Sequence, residues 1–393
     1  MSSYKNTFLY LSTYPLSILS RIFPKDRGVW LFGSWSGTQY NDNSKYLFRY
    51  VNKYCPGVRA VWLTRSKDTL ITIRNEGHEC HLMYSPAGIL ATLRAYVAII
   101  SRAKAEDLPI YISPYTTKIV QLWHGTPLKK LGIDKENSTI NNKNGTATLL
   151  AKLIRRVFFP QSNNNYSIFI ASSKETGRLL ESAYGHWMKP DAIKITGYPR
   201  NDALHGKFSA GVTKRGIYLP TFRDWDRNGE TLFNSYGFDA KKMDVALSKM
   251  DVKLDMKLHP ETALPEHVLS VLNNSQSITF VNYSDIYEHL GKYDFIITDY
   301  SSIYFDYLIL DRPIIFAPFD LKQYVSGRGL YFNYHDVTPG IKAYSWDDVL
   351  EEIEVVVGSV DDFKGQREKI NSRFNTYCDA NSCQRVVDEI RKL

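Results

Sequence analysis

The chain has 393 residues, 49 Lys+Arg against 41 Asp+Glu, and a formal net charge of +8. That length suggests two or three domains, each with its own core, and 44% hydrophobic with 23% charged residues excludes wholesale disorder. The four cysteines, Cys55, Cys80, Cys378 and Cys383, form no CxxC and no metal-ligand spacing with histidine; this excludes a disulfide-dense secreted scaffold, argues against zinc and favours a reducing compartment.

Residues 6–20, NTFLYLSTYPLSILS, are uncharged and lie between Lys5 and Arg21. The stretch is too short to span a bilayer and is broken by Pro15, and no small-x-small site marks a cleaved signal peptide. Two readings stand: a helix packed on the protein body, or an interfacial segment, residues 1–27, with Arg21, Lys25 and Arg27 near lipid phosphates.

From Gly28 the pattern alternates between strand and helix. Strands are predicted at 29–32, 60–63, 81–83, 96–100, 118–123, 167–172 and 192–196, and helices at 42–53, 66–75 and 174–184. Residues 135–146 read as a polar loop. In TATLLAKLIRRVFF, 146–159, apolar residues recur at helical spacing beside Lys152, Arg155 and Arg156, as in a core-facing surface helix or a membrane-facing amphipathic one. TGYPRND, 196–202, marks a domain junction. Beyond it come strands at 216–221, 252–258, 277–281, 293–299 and 312–318, and helices at 240–250, 263–272, 302–310, 346–357, 361–376 and 382–392. The expected fold is α/β of GT-B type: two doubly wound Rossmann-like domains, 28–205 and 206–393, facing a central cleft, with peripheral amphipathic helices. Basic residues beside aromatics suit an anionic membrane or phosphate-bearing substrates; no nucleic-acid motif is present, and nucleic acid is not an expected partner.

His124 follows the strand IVQLW, and His259 follows DMKL, so each stands at the ligand-binding end of a strand in a different domain. An imidazole there can take a proton from a hydroxyl or donate to a phosphate oxygen, and a satisfied structural histidine is the competing reading. Gly125 permits close backbone approach, Thr126 offers a hydroxyl, and Lys129 and Lys130 add positive charge. In YDFIITDYSSIYFDY, Asp299 ends a strand and Ser301 and Ser302 open the next helix, a β-turn-α anion site; helix capping is the alternative role for the serines. Asp306 follows on that helix. Arg200 in GYPRND, Arg223 in LPTFRD and Arg328 in SGRGLYF could supply counter-charge to a phosphate, or be solvated surface arginines.

Together WHGTPLKKLG, GYPRND, PTFRD, KLHP, TDYSS with FDY, and SGRGLYF, in this order, resemble the CDP-glycerol glycerophosphotransferase family of teichoic acid and capsule synthesis. The resemblance runs over roughly 28–390. It implies a peripheral protein of the cytoplasmic membrane face that transfers glycerol phosphate, or another polyol phosphate, from CDP-glycerol or CDP-ribitol to a hydroxyl of a lipid-linked or polysaccharide acceptor, releasing CMP. His124 and His259 match the family's two motif histidines, and Ser301 and Ser302 its donor-binding serines. On this reading His124 is the general base and His259 stabilises pyrophosphate charge. Ser301, Ser302, Thr221, Arg223, Arg328, Asp299 and Asp306 lie on the donor side; Gly125, Thr126, Lys129, Lys130 and Arg200 lie on the acceptor side. Lys152, Arg155 and Arg156 face the membrane. The chemistry requires no metal or other cofactor and admits Mg²⁺, and monomer and oligomer both remain open. The C-terminal pattern departs from the family, reading DANSCQRVV at 379–387, so no ligand role passes to Arg385. The absence of the long polymerases' extra N-terminal domain favours a single-module transferase. A nucleotide-sugar glycosyltransferase on the same fold is the alternative, because fold alone does not fix function.

Overall fold

The structure, a computed structural model, describes residues 12–138, 164–206, 208, 211–223, 225–227, 229–259, 262, 265–358 and 361–393. The chain forms two compact units. Among the described residues, the first draws on the chain up to His124, Leu131–Asp202 and Asp379–Leu393, and the second on Gly125–Lys130 and Ala203–Cys378.

Seven parallel strands build the first unit: β1 (Asp26–Phe32), β2 (Arg59–Thr64), β3 (Cys80–Leu82), β4 (Ala95–Ile100), β5 (Lys118–Gln121), β6 (Tyr166–Ala171) and β7 (Ile193–Ile195). Their order is β3-β2-β1-β4-β5-β6-β7, with the direction of winding reversing between β1 and β4. A parallel sheet covered on both faces needs strands apolar on both sides. Thus Leu31, Val61, Val97, Ala98 and Ile119 are all fully buried.

The second unit repeats the plan with β8 (Lys214–Leu219), β9 (Val252–Met256), β10 (Ile278–Phe280), β11 (Phe295–Thr298), β12 (Ile314–Phe316) and β13 (Ile341–Lys342). Here the order is β10-β9-β8-β11-β12-β13, so the winding reverses between β8 and β11. Its core gathers Tyr218, Phe233, Leu254, Ile297 and Trp346. In both sheets the crevice at the carboxyl ends, beside the reversal, is where such folds hold ligands.

The units differ from the domains read from the sequence, 28–205 and 206–393, at Gly125–Lys130, which joins the second, and at the C-terminus. Helix Ser382–Arg391 belongs to the first unit, not the second. Its Cys383, Val386, Val387 and Ile390 enter the first core, and Asp202 accepts the backbone N–H groups of Ser382 and Cys383, both at 2.9 Å. A carboxylate at the helix start satisfies two of its free donors and opposes its dipole.

Helix Tyr14–Ile22 reverses the usual surface pattern. Ser17 and Ser20 are buried, while Ile18, Leu19 and Ile22 are 43%, 42% and 71% exposed. Ser20 explains the inward polar face: its hydroxyl accepts from Ser113 N–H at 3.1 Å and its carbonyl accepts from Thr116 Oγ1 at 3.0 Å. Among the described residues no helix is long and apolar enough to cross a membrane. The predicted helix 146–159, with Lys152, Arg155 and Arg156, lies outside the described residues. Helix Gly132–Ser138 occupies the start of the stretch read as a loop, and helices Pro86–Arg94 and Leu321–Arg328 add to those predicted.

Candidate active site

In the first unit His124 stands just past β5, at the carboxyl end of the sheet. Trp123 turns the chain there with φ +57°, and Gly125 continues at φ +132°. A left-handed tryptophan costs conformational energy and persists only where its surroundings hold it. Three side chains do so: Gln121 Oε1 accepts Trp123 N–H at 2.9 Å, Asn43 Nδ2 donates to the Leu122 and Trp123 carbonyls at 3.2 and 3.0 Å, and Arg200 Nη1 donates to the His124 carbonyl at 3.0 Å.

The imidazole is fixed in the same way. His124 Nδ1 lies 3.1 Å from the Ser101 carbonyl oxygen, which can only accept. Nδ1 therefore carries the proton in the neutral ring, and Nε2 presents its lone pair. Burial lowers the His124 pKa below its ordinary value, against the Asp42 carboxylate, which acts to raise it. The outcome is a neutral base near pH 7 with one nitrogen committed and one available.

Asp42 and its neighbours form the frame that sequence reading missed. Asp42 Oδ1 pairs with buried Arg200 at 2.7 Å, and Asp42 Oδ2 accepts from the Trp35 indole at 3.1 Å. Asn43 Oδ1 accepts Arg200 N–H at 3.1 Å. At the end of the short helix Lys104–Asp107, Asp107 accepts N–H bonds from Ser36, Ser101 and Arg102 at 2.9, 3.0 and 2.7 Å, pinning the loop that carries the Ser101 carbonyl. Burial pushes the Asp107 carboxyl up to about 6 despite those three bonds. The available signal was Asp42-Asn43 opening a helix a few residues after the glycine- and serine-containing β1 loop GSWSG at 33–37.

In the second unit the loops after β8, β9, β11 and β12 carry the donor-side residues. Arg223 is 1% exposed and joins two carboxylates: Nη1 lies 2.7 Å from Asp299, while Nε and Nη2 each meet Asp320 at 2.8 Å. Its Nη1 also donates to the Thr221 carbonyl at 2.6 Å. Asp299 Oδ1 accepts from the backbone N–H groups of Thr221 and Tyr300, at 2.8 and 2.5 Å. Tyr300 donates its hydroxyl to Asp320 at 2.9 Å and stacks on Tyr324 at 3.8 Å. Burial alone would lower the Arg223 pKa, but Asp299 and Asp320 hold it well above its ordinary value. Asp320 is held below the carboxylate range: burial raises its pKa, and the Arg223 bonds outweigh that.

Several of the expected site residues are interior. Arg223 and Asp299 lock the loops after β8 and β11 together from within. Asp306 is also buried and accepts the Tyr287 hydroxyl at 2.6 Å. In the first unit Arg200 is likewise interior, holding the His124 turn. Thr126 is buried, and Gly125–Lys130 belongs to the second unit, where Lys129 bridges Leu330 and its Nζ lies 5.1 Å over the Tyr324 ring. Lys130 N–H donates to the Gly329 carbonyl at 3.2 Å. Arg328 ends helix Leu321–Arg328, with its side chain outside the described atoms.

Other residues stay at the rim. Ser301 and Ser302 are half-buried ahead of the short helix Ile303–Tyr307, and the Ser302 side chain is not spent on capping that helix. His259 is half-buried three residues past β9, its ring 4.5 Å from that of Phe222. The two units thus present, each at the carboxyl ends of its own sheet, a base-competent histidine and a histidine-serine rim.

Residues 16–392 match the family described as CDP-Glycerol:Poly(glycerophosphate) glycerophosphotransferase. The chain is 27% identical to a teichoic acid glycerol-phosphate transferase of Staphylococcus aureus, over 99% of this chain and 100% of that protein. It is also 27% identical to a teichoic acid poly(glycerol phosphate) polymerase of Staphylococcus epidermidis, covering 92% of this chain but only 50% of the relative, about half its length. Among solved structures it is similar to the wall teichoic acid polymerase TagF, with a TM-score of 0.74 and 24% identity over 99% of this chain and 97% of that one. That likeness establishes the GT-B type of the fold.

Proposed function

The chain belongs to the CDP-glycerol:poly(glycerophosphate) glycerophosphotransferase family, and from that membership we propose that it transfers glycerol phosphate, or a related polyol phosphate, from a CDP-activated donor to an acceptor hydroxyl in teichoic-acid-type polymer synthesis. The observation that carries the mechanism is the His124 ring: Nδ1 donates to Ser101 and Nε2 is left as a base. The acceptor O–H gives its proton to Nε2 as its oxygen attacks the glycerol-bearing phosphorus. The bond from that phosphorus to the bridging oxygen breaks, and CMP leaves with the electron pair. His259, Ser301 and Ser302 donate hydrogen bonds to pyrophosphate oxygens, where charge builds in the transition state. Arg223, Asp299 and Asp320 act one layer behind, holding the serine loop in place. CMP is a good leaving group, so the step does not require a metal.

A lipid-linked acceptor calls for attachment to a membrane surface. The outward Ile18, Leu19 and Ile22 of helix Tyr14–Ile22 supply apolar bulk, with exposed Arg27 nearby for anionic headgroups. Reversible binding to the cytoplasmic membrane face is the corresponding reading.

The test is a donor panel. Purified protein is incubated with CDP-glycerol, CDP-ribitol and UDP-sugars and with lipid-linked acceptors, and released nucleotide and product mass are identified. CMP release coupled to a polyol-phosphate mass increment supports the reading. Turnover of UDP-sugars alone would make the chain a glycosyltransferase.

A further inference from the structure

Of the three cations expected on the acceptor side, Arg200 is interior, and Lys129 and Lys130 belong to the second unit. Arg102 is a cation that the structure puts near the base. It directly follows Ser101, whose carbonyl orients His124, and its charge acts on the His124 ring. The side chain is exposed and makes no ion pair among the described residues. It is nonetheless held: the guanidinium lies 5.1 Å over the Trp35 ring, and the Trp35 indole is anchored on Asp42. Its backbone is held on both sides, by Asp107 at the N–H and by Gln121 Nε2 at the carbonyl, 2.5 Å away.

A cation beside a general base works against the base by disfavouring its protonated form. The position makes chemical sense when the cation meets an anion on the substrate that the base serves. A growing polyol-phosphate chain supplies one, because the attacking hydroxyl belongs to a polyol whose other end is a phosphodiester. A guanidinium matches two phosphate oxygens in a bidentate fork, which an ammonium cannot do. We propose that Arg102, seated on Trp35, binds the phosphodiester of the acceptor's terminal unit and so selects phosphate-bearing acceptors over neutral glycans. This rests on the transfer reaction proposed above and adds to it the acceptor subsite and the residue that sets its preference.

The experiment compares two acceptors, one ending in glycerol phosphate and one the same glycan without it. The readout is the ratio of their kcat/KM values in wild type, Arg102→Gln and Arg102→Lys. Loss of one charge-assisted bond is expected to reduce the ratio about 10- to 100-fold in Arg102→Gln, mainly through KM of the phosphate acceptor, with partial recovery in Arg102→Lys. Because the side chain is exposed, both variants should melt with wild type, and thermal denaturation checks this. An unchanged ratio in a wild-type background that does release CMP overturns the subsite and leaves the transfer reaction standing. If wild type releases no CMP from any CDP-donor, the reaction itself fails and the subsite with it.

Discussion

Replacing Arg223 by Ala tests whether the second unit's donor rim is held from inside. Arg223 is 1% exposed, and its removal leaves Asp299 and Asp320 without their shared cation. Breaking a buried ion pair by deleting one partner costs about 3–5 kcal/mol, since the remaining charge stays desolvated. For a unit of this size each kcal/mol moves the melting point by roughly 2–4 °C, so a loss of roughly 6–20 °C is expected in the transition of the second unit. The pH dependence separates lost charge from lost packing. Asp320 has a depressed pKa in the folded protein. Its contribution is therefore present above the unfolded carboxylate value of about 3.9 and is lost as pH falls through the folded one. In the variant the orphaned carboxylates gain by taking up protons, so the gap to wild type should narrow as pH falls from 7 towards 4. Differential scanning calorimetry from pH 4 to 8 measures both effects. A loss under 2 °C, or a gap independent of pH, would refute the buried triad as the element holding these loops.

Other expectations follow from the same geometry. In Ser301→Ala with Ser302→Ala, calorimetric affinity for CDP-glycerol should fall tenfold or more, as bonds to charged phosphate are lost; unchanged affinity would place the pyrophosphate elsewhere. Because His124 has a lowered pKa, its base form persists below the ordinary imidazole value of about 6.5, so kcat/KM should stay flat through pH 6.5 and fall only at lower pH. A decline already under way between pH 8 and 7 would assign that limb to another group. Ile18, Leu19 and Ile22 changed together to Ser should abolish flotation with anionic vesicles while leaving the melting point in place; retained flotation would remove helix Tyr14–Ile22 from the membrane contact.

The alternation of strands and helices was readable because parallel strands are covered on both faces. Runs such as YVAII and YDFIITD are apolar without a period of two, and they became β4 and β11. Both histidines were readable from their place after such runs. What surrounds them was not. Asp42 and Arg200 are 158 positions apart, and they meet only because β1 and the GYPRND turn end on the same side of one sheet. Arg223, Asp299 and Asp306 were assigned to ligand contact because charge beside a phosphate motif suggests a rim. The sequence does not tell whether such a charge faces outward or is neutralised from within by a residue like Asp320, 97 positions away. Helix Tyr14–Ile22 left two readings open, since its apolar residues could have turned inward; buried Ser17 and Ser20 turn them outward. Helix Ser382–Arg391 was credited to the second domain by continuity, whereas its apolar face fills the first core.

In the proposed reaction Nε2 of His124 takes the acceptor proton during phosphate transfer. Single-turnover CMP release at saturating CDP-glycerol and acceptor, in wild type and His124→Asn, tests it most directly when donor affinity is measured alongside. In His124→Asn the chemical step should fall about 10²- to 10⁴-fold with donor affinity unchanged. A His124→Asn protein that binds donor and releases CMP at the wild-type rate would contradict it.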